Sequence, residues 1–296
     1  NFKIKFKNKN NLLLKKIPEF KHDISSMMKM TELMKWCKKN KISMPSIYFT
    51  NRNKPFLLFN SHYWILMEYL EGTFFKGNVN QYKQSALDFG FLTNKISNLP
   101  KSIMPIKNKK PYFQKKETQV YKNLKNSKMH WNTILGKSAA IKLKKNWELV
   151  EAIWKDLNQT KYLLKEYKCP IHHDLHPHNL IFNKNRAYIL DYESFILGSV
   201  QSAIGFSILK LLKYMHDYNY QKSFESKSSE LFNIWFIAFS KNFPNKFKKQ
   251  EILKFGKAEV FRRFLSMIDK AYNKIPSSFN GPEVHLDTLL VAQKIK

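Results

Sequence analysis

Ile171-His172-His173-Asp174-Leu175-His176-Pro177-His178-Asn179-Leu180-Ile181-Phe182, followed by Ile189-Leu190-Asp191-Tyr192-Glu193, is the stretch on which the reading of this chain turns. Its first part spells His-x-Asp-Leu-x-x-x-Asn, a loop that serves phosphoryl transfer from a nucleotide. Its second part reads as a short strand over 187–190 that delivers a carboxylate at its end. Between them Asn183-Lys184-Asn185-Arg186 has the composition of a turn joining two apolar runs. The spacing predicts a loop, a strand, a turn, a second strand and an acid, folded as a hairpin.

Phosphoryl transfer needs little covalent help, so the protein's task is to position groups and neutralise charge. In that chemistry Asp174 accepts the proton of an attacking hydroxyl. Asn179, five residues on, returns to the same side of the loop and offers an amide oxygen to Mg²⁺. Asp191 brings a full negative charge to the ion that bridges the phosphates, and hard oxygen ligands suit that ion. His172 reads as a buried prop that orients the loop, and Pro177 stiffens the path between the polar ligands.

These motifs resemble those of the aminoglycoside phosphotransferase and choline kinase superfamily, the small-molecule branch of the protein-kinase-like fold. His-x-Asp-Leu-His-Pro-x-Asn followed by Asp-x-Glu is the wording they share. The resemblance implies Asp174 as catalytic base and Asn179 with Asp191 as Mg²⁺ ligands, with Glu193 supporting the metal site. It implies ATP, or another nucleoside triphosphate, as donor. It also implies an α+β, two-lobed architecture: a small antiparallel-sheet lobe over 1–72 with one main helix, then a mostly helical lobe over 73–296 holding the catalytic loop, metal site and acceptor pocket.

Other readings compete for the same residues. Four histidines in seven residues could serve a transition metal. However, the spacing lacks the His-Glu-x-x-His or Cys/His pairing of a zinc site. His176 and His178 flank a proline in a polar loop, where partial exposure without any special role is the plain expectation. A protein kinase is disfavoured: Asp191-Tyr192-Glu193 lacks the glycine of Asp-Phe-Gly, and a helical pattern starts within about ten residues, leaving no room for an activation loop.

Composition sets the bounds. A chain of 296 residues, 43% hydrophobic, can bury an ample core. Cys37 and Cys169 form no paired motif and suggest a reducing compartment. No apolar run approaches the length of a membrane span and no signal peptide is evident, so a cytoplasmic location is expected. The formal charge of +30 attracts polyanions and phosphorylated ligands. Yet the arginines, whose planar fork reads base edges, are only Arg52, Arg186, Arg262 and Arg263. The lysines are scattered, which predicts solvated surface and no specific nucleic-acid partner.

Near the start, Phe2, Ile4 and Phe6 alternate as in a half-buried strand, and 12–17 form a second strand after a polar turn. By resemblance Lys15 matches the lysine that pairs with nucleotide phosphates; Lys16 is the alternative, one residue out of register and so on the other sheet face. The family's first strand and phosphate-covering loop would lie before residue 1. Residues 23–40 predict a helix capped by Asp23, with Met27, Met30, Met34 and Cys37 as its apolar stripe. Family members carry in this helix a glutamate that pairs with the lysine. Met30 falls nearest that position here, and Glu32, the one acid close by, points away from the stripe.

Three strand-like runs follow at 46–50, 55–59 and 63–69. Glu68 to Gly72 resembles the hinge whose backbone binds the adenine edge, which makes Glu68 and Leu70 the candidate nucleotide contacts. Beyond it, 81–99 predicts a helix, 100–128 an irregular basic connection, and 143–164 one long helix ending before Pro170. Val200, Ile204, Ile208, Leu211 and Met215 mark another apolar helix face, and helices are expected over 226–243, 248–273 and 283–294. The implied acceptor is a small-molecule hydroxyl on a sugar, amino alcohol, hydroxy amino acid or aminoglycoside-like compound, with Asp217, Glu225 and Glu230 as acids able to line its pocket. A nucleotide-binding pseudokinase and a basic nucleic-acid-binding protein are the rival functions. The oligomeric state is not legible.

Overall fold

The computed structural model describes residues 2–5, 11–18, 23–103, 115–160, 166–244, 246–275 and 281–295. Residues 6–10, and with them Phe6, lie outside this set. The chain forms two compact units, one of residues 1–109, 168–199 and 233–246, the other of 110–167, 200–232 and 247–296.

The first unit is built on an antiparallel sheet of β1 (Phe2–Ile4), β2 (Leu12–Pro18), β5 (His62–Glu68) and β3 (Ile47–Tyr48), with β4 (Leu57–Phe59) also paired to β5. Tyr63, Ile65 and Met67 alternate inward along β5 as a half-buried strand requires. The β4–β5 turn consists of Asn60 and Ser61, both at positive φ (47° and 55°), the conformation whose twist matches a tight hairpin. Helix α1 (Ile24–Lys39) starts where Asp23 accepts from the Ser26 N–H at 2.6 Å. Its buried face runs through Met27, Thr31, Leu33, Met34 and Cys37. Met30 is only half-buried, because the stripe passes through Thr31, four residues after Met27, and not through Met30.

Strand β6 (Thr73–Phe74) pairs with β8 (Leu180–Asn183), which continues into β9 (Arg186–Ile189). Gly72 sits at φ +150° just before β6, where a Cβ would run into the Phe182 carbonyl oxygen. Helix α2 (Val79–Ile96) is capped by Asn78 and buries Tyr82, Phe89, Leu92 and Ile96. Ser85 on this helix receives the Trp235 indole N–H at 3.0 Å. A two-stranded ribbon of β7 (Lys168–His172) and β10 (Phe195–Ser199) completes the unit. Pro170, before which a helix was expected to end, lies within β7, opposite Leu197, in a ribbon narrow enough to spare its missing N–H.

The second unit is helical. Residues 115–126, expected as irregular chain, form helix α3 (Lys115–Asn126), whose Val120, Tyr121 and Leu124 are buried while its lysines face water. The long helix expected over 143–164 is divided: Asn146 ends α5 (Lys137–Lys145), which follows α4 (Trp131–Leu135), before α6 (Trp147–Thr160) begins, and residues 161–164 lie outside the described set. Asn146 caps α5 by donating to the Lys142 carbonyl. Tyr121 stacks on Trp154 with ring centres 4.3 Å apart. Helices α7 (Val200–Met215), α8 (Phe224–Asn242, its first part), α9 (Lys249–Tyr272) and α10 (Glu283–Gln293) supply the rest. The face from Val200 to Met215 is fully buried, and α7 meets α9 where Gly205 and Gly256 let the backbones touch. Glu259, fully buried, takes both Arg262 and Arg263 at 2.8 Å, so half of the chain's arginines serve the interior.

Candidate active site

The catalytic, metal and nucleotide candidates all fall within the first unit, whereas Asp217, Glu225 and Glu230 fall within the second. The loop after β7 is braced from inside. His172 has no exposed surface; its Nε2 lies 2.8 Å from the Leu190 carbonyl and 3.2 Å from that of Asp191, while its Nδ1 accepts from the Asp174 N–H at 3.4 Å. That pattern assigns the proton to Nε2. Burial holds the ring below its ordinary pKa against the pull of Asp191 and Asp174, so a neutral prop is the physical reading.

Asn179 donates its amide N–H to the Asp174 carbonyl at 2.8 Å, closing the loop across five residues. The amide oxygen is therefore the Asn179 atom left to meet a cation. The Leu190 N–H donates to the Asn179 carbonyl at 2.9 Å, which lays the end of β9 against this loop and brings Asp191 beside it. His176 contributes more than a bland surface: its Nδ1 accepts from the His178 N–H, and its Nε2 lies 3.6 Å from Asp174 Oδ2.

Asp191 occupies the left-handed region, φ 67° and ψ 72°, which asparagine and aspartate tolerate better than most residues. The turn is pinned on three sides. Tyr192 donates to the Pro45 carbonyl at 2.5 Å, the Ile189 N–H donates to Ser43, and Ser194 Oγ donates to Asp191 Oδ2 at 2.7 Å. Sequence reasoning missed Ser194; its place three residues after an acid at a strand end is the signal that could have exposed it.

Lys15 reaches this turn from β2. Its Nζ lies 3.1 Å from Asp191 Oδ1 and 2.6 Å from Glu193 Oε1. The sheet register decides between the neighbouring lysines: Lys15 pairs across from buried Ile65, while Lys16 pairs across from Trp64 and sits over that indole on the opposite face. Burial works against both charges of the Lys15–Asp191 pair. Asp191 and Glu193 together outweigh it for the lysine, raising its pKa, while Lys15, Ser194 and His172 outweigh it for Asp191, lowering its pKa. The helix acid that the resemblance calls for does not meet this lysine: Glu32 is bound to Lys35 at 2.8 Å.

The hairpin is also held from below. Asp88 on α2 accepts from the Ala187 N–H at 2.7 Å and from Gln84 at 2.7 Å, a contact spanning 99 residues that no local pattern announces. Asn183 donates to the Glu71 carbonyl at 3.0 Å, tying the hairpin to the stretch that follows β5. Glu68 exchanges two bonds with Ser46, its N–H donating to the carbonyl and its carboxylate accepting from the N–H. Leu70 lies just past the end of β5, in the extended link to β6.

The site thus presents three carboxylates, Asp174, Asp191 and Glu193, and one ammonium, Lys15. An Asp191 carboxylate and an Asn179 amide oxygen are hard donors of the kind a magnesium-type cation accepts when phosphates complete its shell, so the residues present fit such an ion. Among the described residues no group of three or more His, Cys, Asp and Glu side chains could hold a metal, which leaves the zinc reading of the histidines without a ligand set.

A sequence model described as APH, phosphotransferase enzyme family, matches residues 1–201. Among the curated proteins no sequence matches. Solved structures similar to this chain include an amicoumacin kinase in complex with AMP-PNP, Ca²⁺ and Ami, 9% identical with a TM-score of 0.67, the match covering 99% of this chain and 84% of that one. Another is the AMP-bound complex of a spectinomycin phosphotransferase, 13% identical with a TM-score of 0.63 and covering 95% of this chain and 88% of that one. A third is the choline kinase LicA from Streptococcus pneumoniae, 12% identical with a TM-score of 0.55 and covering 97% of this chain and 86% of that one. At such identities the likeness is one of fold: the α+β, kinase-like fold.

Proposed function

The chain belongs to the APH phosphotransferase enzyme family, and we propose that it transfers the γ-phosphoryl group of ATP, or of another nucleoside triphosphate, to a hydroxyl of a small molecule. The observation that carries this reading is the meeting of Lys15 with Asp191, 176 residues apart in sequence, beside a loop in which Asn179 clasps Asp174.

In this reading Asp174 faces the acceptor and takes its hydroxyl proton as the oxygen bonds to phosphorus and the bond to the nucleoside diphosphate breaks. Asn179 and Asp191 hold Mg²⁺, which when bound neutralises charge developing on the phosphates. Lys15 steadies the donor phosphates. Glu68 and Leu70 bracket the link that would meet the base, Glu68 with its N–H already engaged by Ser46. His172 keeps the loop in shape without relaying a proton.

For the acceptor, a sugar, amino alcohol or hydroxy amino acid is favoured over a polycation. In support, the Asp217 carboxylate is engaged by Lys213 and His216 and so has little charge to offer a cationic ligand. No described helix is long and apolar enough to cross a membrane. A second reading, nucleotide binding without turnover, draws on the absence of an α1 acid beside Lys15.

A phosphorylation assay across a panel of hydroxyl metabolites separates the two. With an acceptor in hand, Asp174→Asn should lower kcat by about two to four orders of magnitude while AMP-PNP binding persists. Asp191→Ala should abolish the Mg²⁺-dependent part of that binding. Turnover undiminished in Asp174→Asn would reject the assigned base, and AMP-PNP binding with no ATP consumed in the presence of any metabolite of the panel would favour the second reading.

A further inference from the structure

We propose that Glu193 is the positioning residue of Lys15: it keeps the lysine aimed at the donor phosphates once Asp191 is given over to the cation. This rests on the nucleotide-dependent reading above and deepens it.

Both oxygens of Asp191 are already in use, Oδ1 by Lys15 at 3.1 Å and Oδ2 by the Ser194 hydroxyl at 2.7 Å. A divalent cation on Asp191 would repel the ammonium beside it and weaken the hold of that carboxylate on the lysine. With the Asp191 contact weakened, Lys15 depends on another carboxylate to stay in place. Glu193 supplies the second hold. Its Oε1 is the nearer contact at 2.6 Å, and both side chains are about one-fifth exposed, at 21% and 20%. No residue of α1 does this: Glu32 is the helix's only acid and it is bound to Lys35.

The two acids are separated by one residue, Tyr192, which is buried and fixed to the Pro45 carbonyl. Glu193 therefore cannot drift when Asp191 changes partner. The turn divides its two charges between two tasks, metal for one and lysine for the other. Glu193 touches neither reacting atom nor metal in this assignment, and acts through Lys15.

The test is the affinity for AMP-PNP, measured by calorimetry with and without Mg²⁺, in the wild type and in Glu193→Gln, Glu193→Asp, Lys15→Met and Lys15→Met/Glu193→Gln. Loss of a charge-assisted hold predicts that Glu193→Gln binds AMP-PNP about tenfold more weakly with Mg²⁺, and by a smaller factor without it, where Asp191 still holds the lysine. Glu193→Asp should recover part of that loss. In the Lys15→Met background Glu193→Gln should add almost nothing, and the Mg²⁺ concentration for half-saturation should stay at that background's value. Full additivity with Lys15→Met, or a Mg²⁺ requirement raised by Glu193→Gln within the Lys15→Met background, would mean that Glu193 acts apart from Lys15 and would overturn the proposal. Unchanged affinity in both Glu193 variants would overturn it as well. Failure of the underlying reading looks different, since the wild type itself would then not bind AMP-PNP.

Discussion

Replacing Asp88 by alanine should loosen the hairpin that leads to Asp191, whereas replacing it by asparagine should not. The Ala187 N–H is buried with its residue and donates to Asp88 Oδ2 at 2.7 Å. Alanine removes that acceptor and leaves a buried N–H unpaired, at about 1–3 kcal/mol. Asparagine keeps an oxygen in place. Burial pushes the Asp88 carboxyl above its ordinary pKa, against the opposing pull of Gln84, the Ala187 N–H and Arg186. A group raised in the folded state contributes stability that is present at low pH and lost as pH rises through the raised value. Wild type should therefore lose ground to Asp88→Asn between about pH 4 and the raised pKa. Asp88→Ala should stay the less stable at every pH. Urea unfolding at pH 4 and pH 7 gives the stabilities, and hydrogen exchange over 186–189 shows whether the loss is local. Equal stability of Asp88→Ala and Asp88→Asn would refute the anchoring role, and an advantage for wild type that grew with pH would refute the direction of the shift.

Three further outcomes are expected. Tyr192→Phe leaves the Pro45 carbonyl without its 2.5 Å donor and should cost about 1–3 kcal/mol in urea unfolding. Gly72→Ala places a Cβ against the Phe182 carbonyl at φ +150°, and should destabilise by about 1–3 kcal/mol with faster exchange in β6 and β8. Burial pushes the thiols of Cys37 and Cys169 up to about 12, so a disulfide reagent at neutral pH should modify neither until the chain is unfolded.

Much of the site was legible because its spacing is local. The five residues from Asp174 to Asn179 close on themselves through one hydrogen bond, and the run of alternating residues before Asp191 is the strand that delivers it. Lys15 was preferred to Lys16, and the register with β5 supplies the reason: neighbours in a strand face opposite sides. Helix α3 was hidden because its apolar positions, Val120, Tyr121 and Leu124, are diluted by lysines that a helix can hold in water. The division at Asn146 was hidden because an apolar period carries across a short break without losing phase. Strand β7 is five residues long and includes a proline, so nothing in its composition sets it apart from a helix end.

What the sequence by itself determined, then, is a local pattern: an acid, an amide and a second acid in the order and spacing that a loop and its following hairpin impose. What only the tertiary structure decided is which charges face one another. Glu193, Ser194 and Asp88 gain their roles from contacts made across turns and across sheets, one of them between residues 178 apart, Lys15 and Glu193. A charge pair is set by where two chain segments meet in space, and a linear pattern holds no record of that meeting.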